Sequence, residues 1–422
     1  MHDVIGIDFG TTNSVIALRQ ADGSVASLRY AAGQGVVDTF RSVLCFWAED
    51  TGASRGRLQH AAGPDAIEAY LDDPLGSRLI MSMKSYLASR TFVETRVFNK
   101  PFALEDLIST FLRGLVAGAT GAPALNGSRV VAGRPVRFVG DTADDTLAER
   151  RLRAAFAGAG WTDVALALEP EAAGHRFAAT LEGNANVLVG DFGGGTSDFS
   201  ILRFEPGSRQ RVTALGHAGV GIAGDAFDYR IIDNVISPRL GKGDTYKVME
   251  TALPVPPAFF TSFARWHQLS LMRAPKTLRE INEVARLAAH PERLRHLIQL
   301  VEDEVGYALY QAVSAVKAGL SRADEAVLHF THRDFTVAQP VSRVAFEGWI
   351  APELARLATA IDHALADAKL APGQVDRVFL TGGTSLVPAV RRLFEDRFGA
   401  DRVTGGGEFV SVAEGLALIG AA

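Results

Sequence analysis

Apolar residues dominate positions 4–9 and 13–20, and again about 24–30, with small and polar residues between them, a pattern that predicts three strands in a meander. Asp22-Gly23 provides the second turn. "FRSVLCFW" reads as a further strand and "PDAIEAYLDD" as a short helix. Leu104, Leu107, Ile108, Phe111, Leu112 and Leu115 then recur at helical spacing, so a helix follows. "RVVAGRPV" is its partner strand, and "DTLAERRLRAAFAGAG" a second amphipathic helix. At Glu169-Pro170 a strand turns into a helix, with Pro170 suited to the first helical turn. The polar joint "LEGNAN" at 181–186 closes this half and is a hinge candidate.

The second half starts as the first did. "VLVGDFGGGTSDFSIL" at 187–202 repeats, with Asp191-Phe192-Gly193, the Asp8-Phe9-Gly10 turn of "VIGIDFGTTNSVIALR". A glycine-rich turn leads into a helix near 224, and 237–291 is the least regular portion. There Pro254, Pro256 and Pro257 stand beside Phe259, Phe260, Phe263 and Trp266, a cluster expected to be buried packing. Leu294, Leu297, Ile298, Val301, Val305, Ala308, Ala312, Val316 and Leu320 form one stripe and predict a single long helix over about 292–321. The strand "RVFLTGG", the helix "LVPAVRRLFEDRF" and a short helix from about 410 close the chain. "RVVAGRPVRF" and "RVFLTGGTSLVPAV" share a further order of strand, glycine turn and proline-bearing helix start. Two such repeated units imply two homologous α/β lobes around a cleft, with the motifs at strand ends, where such folds place ligands.

Composition narrows the field. At 422 residues the chain exceeds one ordinary core, and 47% apolar residues can fill two. A net charge of −5 and a pI near 6.1 argue against nucleic acid as the main partner. The one cysteine, Cys45, excludes an internal disulfide and reads as a buried strand residue. No apolar run is long enough for a membrane span and the start is unlike a secretory signal, so a cytoplasmic protein without a membrane partner is expected.

A triphosphate needs backbone N–H groups around its oxygens, a divalent cation to spread its charge, and carboxylates to hold that cation's waters. Both turns hold these parts. Gly10 and Gly193, Gly194 and Gly195 permit close backbone approach, Thr11, Thr12 and Thr196 add hydroxyls, and Asp8 and Asp191 supply carboxylates.

"IDFGTTNS", "LVGDFGGGTSDFSIL" and "VFLTGGTSLVPAV" together resemble the signature stretches of the seventy-kilodalton heat-shock (Hsp70) chaperone family, and among its members the short YegD-like proteins that lack a peptide-binding part. The resemblance covers nearly the whole chain as the family's ATPase domain. It implies an α/β, actin-like ATPase fold with two duplicated lobes and ribonuclease H-like core sheets. Lobe I would take residues 1–183, with its peripheral subdomain at 38–103 between core segments 1–37 and 104–183. Lobe II would take 184–422, with its peripheral subdomain at 224–343 between core segments 184–223 and 344–422.

It further implies ATP/ADP and Mg2+ as cofactors, K+ as a further ion, slow hydrolysis and an output by conformational switching. Asp8 and Asp191 would hold the magnesium's waters, Thr11, Thr12 and Asn13 would line the phosphates, and Thr196 would face the γ-phosphate. Lys84 matches the family's catalytic lysine, Glu169 the glutamate near water and metal, and Asp198 the aspartate that also helps hold potassium; Glu171 is a weaker match. Gly224, Gly382, Gly383 and Thr384 would back the nucleoside and Lys317 would contact the ribose. The chain departs from the pattern at Ser314, Ala318 and Leu386, where the family has a glutamate and two arginines. Loss of those arginines removes cation–π stacking on the base, worth about 0.5–2 kcal/mol each, so base affinity and selectivity are expected to fall. An unfolded client, a co-chaperone or an exchange factor would be the protein partners. Two other classes fit the superfamily: a sugar-type kinase with Asp198 or Glu171 as base, and an actin-like or non-hydrolysing nucleotide-binding scaffold.

Overall fold

The computed structural model describes residues 4–32, 35–49, 57–121, 128–139, 142–178, 181, 183–205, 211–265, 272–405 and 410–420. These divide into two compact units, one of residues 1–224 with 355–422 and one of residues 225–354.

The larger unit contains two sheets built on one plan. In the first, Val4–Asp8 pairs antiparallel with Asn13–Arg19, which pairs with Val25–Ser27, while on its other side Val4–Asp8 runs parallel to Arg129–Arg134 and that strand to Val164–Leu168. In the second, Ala185–Phe192 pairs antiparallel with Ser197–Glu205, which pairs with Arg211–Val220, and runs parallel to Arg377–Thr381, itself parallel to Val403–Gly405. The order is the same strand for strand. The fold is the mixed α/β, actin-like ATPase arrangement.

Helices cover both sheets. Leu104–Ala117 buries its expected stripe against the first, and its Asp106 carboxylate accepts from the Ala103 amide at 3.1 Å, satisfying a donor the helix start leaves free. Ser411–Ile419 packs on both Glu169–Ala178 and the first sheet. That approach needs glycine: a Cβ on Gly415 would sit 1.7 Å from the Ala172 carbonyl oxygen and one on Gly6 2.1 Å from that of Ala413. Cys45 is fully buried on Val43–Glu49, and burial pushes its thiol pKa up, as a packing residue requires.

Three expectations need correction. The long helix over 292–321 is two helices, Pro291–Glu302 and Gly306–Leu320, broken where Glu304 takes φ of 53°. The break is held from a distance. Asp303 accepts from His332 at 2.7 Å and Arg333 at 2.8 Å, and Glu304 pairs with Arg273. Residues 237–291 are more regular than their composition suggests, with the hairpin Thr245–Val248 and Thr251–Pro254 and the helices Pro257–Ala264 and Pro275–Leu287. Phe259, Phe260 and Phe263 are buried there, whereas Trp266 lies outside the described residues. Finally, only one of the paired strand–glycine–helix units starts its helix on proline: Pro388 opens Pro388–Phe398, but the next helix described after Pro135 is Asp145–Gly158, which Asp144 caps by accepting from the Leu147 amide at 2.9 Å. Part of the hinge candidate at 181–186 also lies outside the described residues.

Among the described residues no helix is long and apolar enough to cross a membrane.

Candidate functional site

The repeated plan delivers two aspartates to equivalent strand ends of the larger unit. Asp8 closes Val4–Asp8 and Asp191 lies one residue before the end of Ala185–Phe192. The turns that follow meet face to face: a Cβ on Gly194 would lie 2.3 Å from Thr12 Oγ1 and 3.5 Å from Thr11 Cβ. Gly195 is close to Thr11 and also to Ser85, next to Lys84, so three loops converge. Within each loop the backbone folds back tightly, Gly10 on the Asn13 carbonyl and the Gly193 amide donating to the Thr196 carbonyl at 2.9 Å. Thr11 and Thr196 are buried, and Asn13 accepts from Arg41 at 3.2 Å.

Lys84 stands on the short 3-10 turn Met83–Tyr86, and its Nζ donates to Oε1 of Glu169 at 2.6 Å. Both side chains are under 10% exposed, at 9% and 6%, so this ion pair is not a solvated surface contact. Glu169 opens the helix Glu169–Ala178 at its positive end. The electrostatics follow from crowding. Burial, then Glu169, push the Asp8 carboxyl up to about 7 against the opposing pull of Lys84. The same burial, with Glu169, Asp8 and Asp198 as neighbours, holds Asp191 well above the ordinary range. Burial alone would lower the Lys84 pKa, yet Glu169, Asp8 and Asp191 together outweigh it and raise it, keeping the ammonium charged.

Asp198 is opposite Asp191 across the strand pair and almost wholly buried. Its Oδ1 accepts from the amides of Val136 at 2.9 Å and Arg137 at 3.3 Å, tying the second hairpin to the loop after Arg129–Arg134. Burial, and next Glu169, raise its pKa to about 7, with Thr196 and the Arg137 amide opposing. The two amide contacts were not legible in "GRPVRF"; a strand-end proline that stops the ladder is the only local hint. Glu171 turns elsewhere, with Oε1 3.4 Å from His217 Nε2, while His217 Nδ1 is 2.7 Å from Ser200 Oγ.

The turn at 382–386 abuts the second hairpin. Gly382 has φ of 85°, and a Cβ there would lie 2.0 Å from the Phe192 carbonyl oxygen, so this position demands glycine on both counts. Thr384 is buried, Gly383 is exposed, and Leu386 is about half exposed. Gly224 is buried at the start of Gly224–Ile231. In the smaller unit Lys317 and Ser314 share Gly306–Leu320 and turn to one carboxylate, Asp228, whose Oδ2 lies 2.8 Å from Lys317 Nζ and 3.4 Å from Ser314 Oγ. Asp228, fully buried, was missed in "GIAGDAFDYR", because its helix partners stand 86 and 89 residues away.

A family model described as Hsp70 protein matches residues 288–422. Curated relatives align along nearly the whole chain. The chaperone protein DnaK of Deinococcus radiodurans is 26% identical over 417 residues, covering 94% of this chain and 56% of that protein. That of Thermus thermophilus is 26% identical over 410 residues, covering 95% and 58%, and that of Thermosipho africanus 26% over 421 residues, covering 98% and 58%. The chain is thus similar to the Hsp70 family, through the family model over residues 288–422 and through these DnaK proteins along most of its length. It spans a little over half the length of these DnaK relatives.

Proposed function

We propose that this chain is a chaperone-like, ATP-binding member of the Hsp70 family that hydrolyses ATP slowly and uses the ATP-to-ADP change as a conformational switch. The observation that supports this best is Lys84 held at 2.6 Å by Glu169, with the buried carboxylates Asp8, Asp191 and Asp198 as electrostatic neighbours of this pair.

The donor set fits magnesium and nucleotide. Four carboxylates against one ammonium leave the site negative when ionised, and the raised pKa values of Asp8, Asp191 and Asp198 come first from burial and then from that repulsion. A divalent cation would relieve it, and the glycine turns leave room beside the backbone amides that side chains would fill. Asp8 and Asp191 would hold the hydrated magnesium, which supplies charge dispersal to the β- and γ-phosphates. Thr11, Thr12, Asn13, Thr196 and the amides of Gly10 and 193–195 would bind and orient the phosphates. Lys84 would neutralise charge developing on the transferred group, and Glu169 keeps its ammonium aimed. Buried fixed charges of this kind need no reorganisation when charge develops. A monovalent cation such as potassium is proposed beside Asp198.

For the nucleoside we propose Gly224 and 382–384, with Ser314 and Lys317 assigned to the ribose on family resemblance. Leu386 offers an apolar edge in place of an arginine, so weak base selection is part of the proposal. Client, co-chaperone and exchange-factor binding follow from the same kinship. The candidate kinase bases are otherwise engaged, Glu171 with His217 and Asp198 with two backbone amides, which favours water as acceptor over a sugar hydroxyl.

Single-turnover phosphate release from Mg·ATP tests the reading. Lys84→Ala should slow it by about 100-fold or more, with ATP affinity by calorimetry within about tenfold of the parent. Equal release from the folded variant would refute it.

A further inference from the structure

Residues 82–92 carry Lys84 but have little structure of their own. They enter through Ser82 at φ of 54° and continue by isolated turns, the Ser85, Leu87, Ser89 and Phe92 amides each donating three residues back. Such a segment leaves carbonyl oxygens free and depends on outside donors for its shape. One side chain supplies them. Arg151, on the helix Asp145–Gly158 and only 9% exposed, donates from Nη1 to the carbonyls of Tyr86 at 3.3 Å, Leu87 at 3.2 Å and Ser89 at 2.9 Å, and from Nη2 to that of Phe92 at 2.6 Å. Its Nε lies 3.4 Å from Oε1 of Glu105, which neutralises the buried charge. The cap of the same helix adds to the grip, since the Asp144 amide donates to the Ala88 carbonyl at 3.2 Å and Arg90 donates to Asp144 at 2.8 Å.

We infer that Arg151 is a positioning residue for Lys84: its guanidinium, clamped on four carbonyls of residues 86–92, fixes the 3-10 turn that aims the Lys84 ammonium at Glu169. The inference rests on the proposed role of Lys84. A planar fork with several fixed donors can span these carbonyls at once, whereas a lysine at 151 offers one compact ammonium that reaches fewer. Arg151 touches neither Lys84 nor the phosphate loops in its hydrogen bonds, so it acts through the segment's backbone alone.

The test uses the full chain with Arg151→Lys, Arg151→Ala and, as a control, Arg113→Ala, whose arginine bonds Gly158 and Thr110 but not residues 86–92. Lys84 acetylation by a water-soluble amine reagent is followed by peptide mass spectrometry beside single-turnover phosphate release and ATP calorimetry. In Arg151→Lys, Lys84 should label about tenfold faster, with Lys100 and Lys317 unchanged, and phosphate release should fall about 10- to 100-fold while ATP affinity stays within about twofold. Arg113→Ala should match the parent in all three. Lys84 labelling at the parental rate in the folded Arg151→Lys protein would overturn the clamp, as would equal acceleration at all three lysines. Should the parent chain release no phosphate, the proposed function fails, yet labelling still decides the clamp. Arg151→Ala extends the series where it folds, and Arg151→Lys suffices where it does not.

Discussion

The hairpins at Asp8 and Asp191 share strand order, an Asp-Phe-Gly turn and a place in their sheets, yet each aspartate faces a different neighbour. Opposite Asp8 across the strand pair is Val15, buried and apolar; opposite Asp191 is Asp198, a second carboxylate. Like charges directly opposed on a sheet are destabilising, and here both are buried, so the second hairpin carries a repulsion within itself that the first lacks, added to the stronger repulsion Asp191 meets from Glu169 and Asp8. A duplicated scaffold has thus been charged unequally. The first hairpin contributes shape and one carboxylate, the second the greater part of the negative field that a hydrated cation would answer.

Neutralising one aspartate at a time breaks this comparison most strongly. Asp191→Asn should reduce single-turnover phosphate release by about 100- to 1000-fold and Asp8→Asn by only about tenfold, magnitudes in the range of a lost electrostatic group in a preorganised site. Equal losses in the two folded variants would mean that the hairpins carry equal loads despite Asp198.

A second break is thermodynamic. Asp198 is raised from 3.8 to about 7, so between those values the native state holds a proton that the unfolded chain has released. More protons bound in the native state means that stability falls as pH rises through this window and levels off above about 7. Without nucleotide, the parent should lose about 2–4 kcal/mol of stability through this group between pH 4 and pH 8. Asn keeps an oxygen for the Val136 amide and cannot ionise. Asp198→Asn should therefore match the parent near pH 4 and exceed it at pH 8 in urea unfolding, and a gain that is larger at pH 4 would reverse the sign and sink the argument.

Much of this was legible in the chain. Strand alternation, the repeated Asp-Phe-Gly and the Leu104–Leu115 stripe are local signals, and each lies where its pattern put it because the physics that forms it acts over a few residues. What the chain hid is non-local. The stripe from Leu294 to Leu320 is continuous, yet the helix breaks at Glu304 because Arg273, His332 and Arg333 bond residues 303–304 from other segments. Family resemblance singled out Lys84 and Glu169, but their 2.6 Å contact joins positions 85 residues apart, and nothing in "RRLRAAF" says that its first helix-facing arginine, Arg151, braces the lysine's segment.

The smallest effect sharpens the comparison at its glycines. Gly10 and Gly193 are equivalent in sequence, and neither has positive φ, so only space decides whether each needs to be glycine. A Cβ on Gly10 would stand 2.0 Å from the Asn13 backbone oxygen, which cannot move without opening the turn; on Gly193 the nearest atom is 3.5 Å away, an ordinary contact. Gly10→Ala should cost about 1–3 kcal/mol, as overpacking does. Gly193→Ala should stay within about 0.5 kcal/mol of the parent, because a compatible alanine also restrains the unfolded chain. Gly194→Ala falls between them, since its clash at 2.3 Å is with the Thr12 hydroxyl, the end of a side chain that can rotate away. Rotation would spare the fold but move a hydroxyl proposed to line the phosphates, so this variant should lose nucleotide affinity while unfolding near the parental urea midpoint. If Gly10→Ala and Gly193→Ala lose the same stability, the first turn is not the tighter one, and the division of shape to one hairpin and charge to the other fails with it.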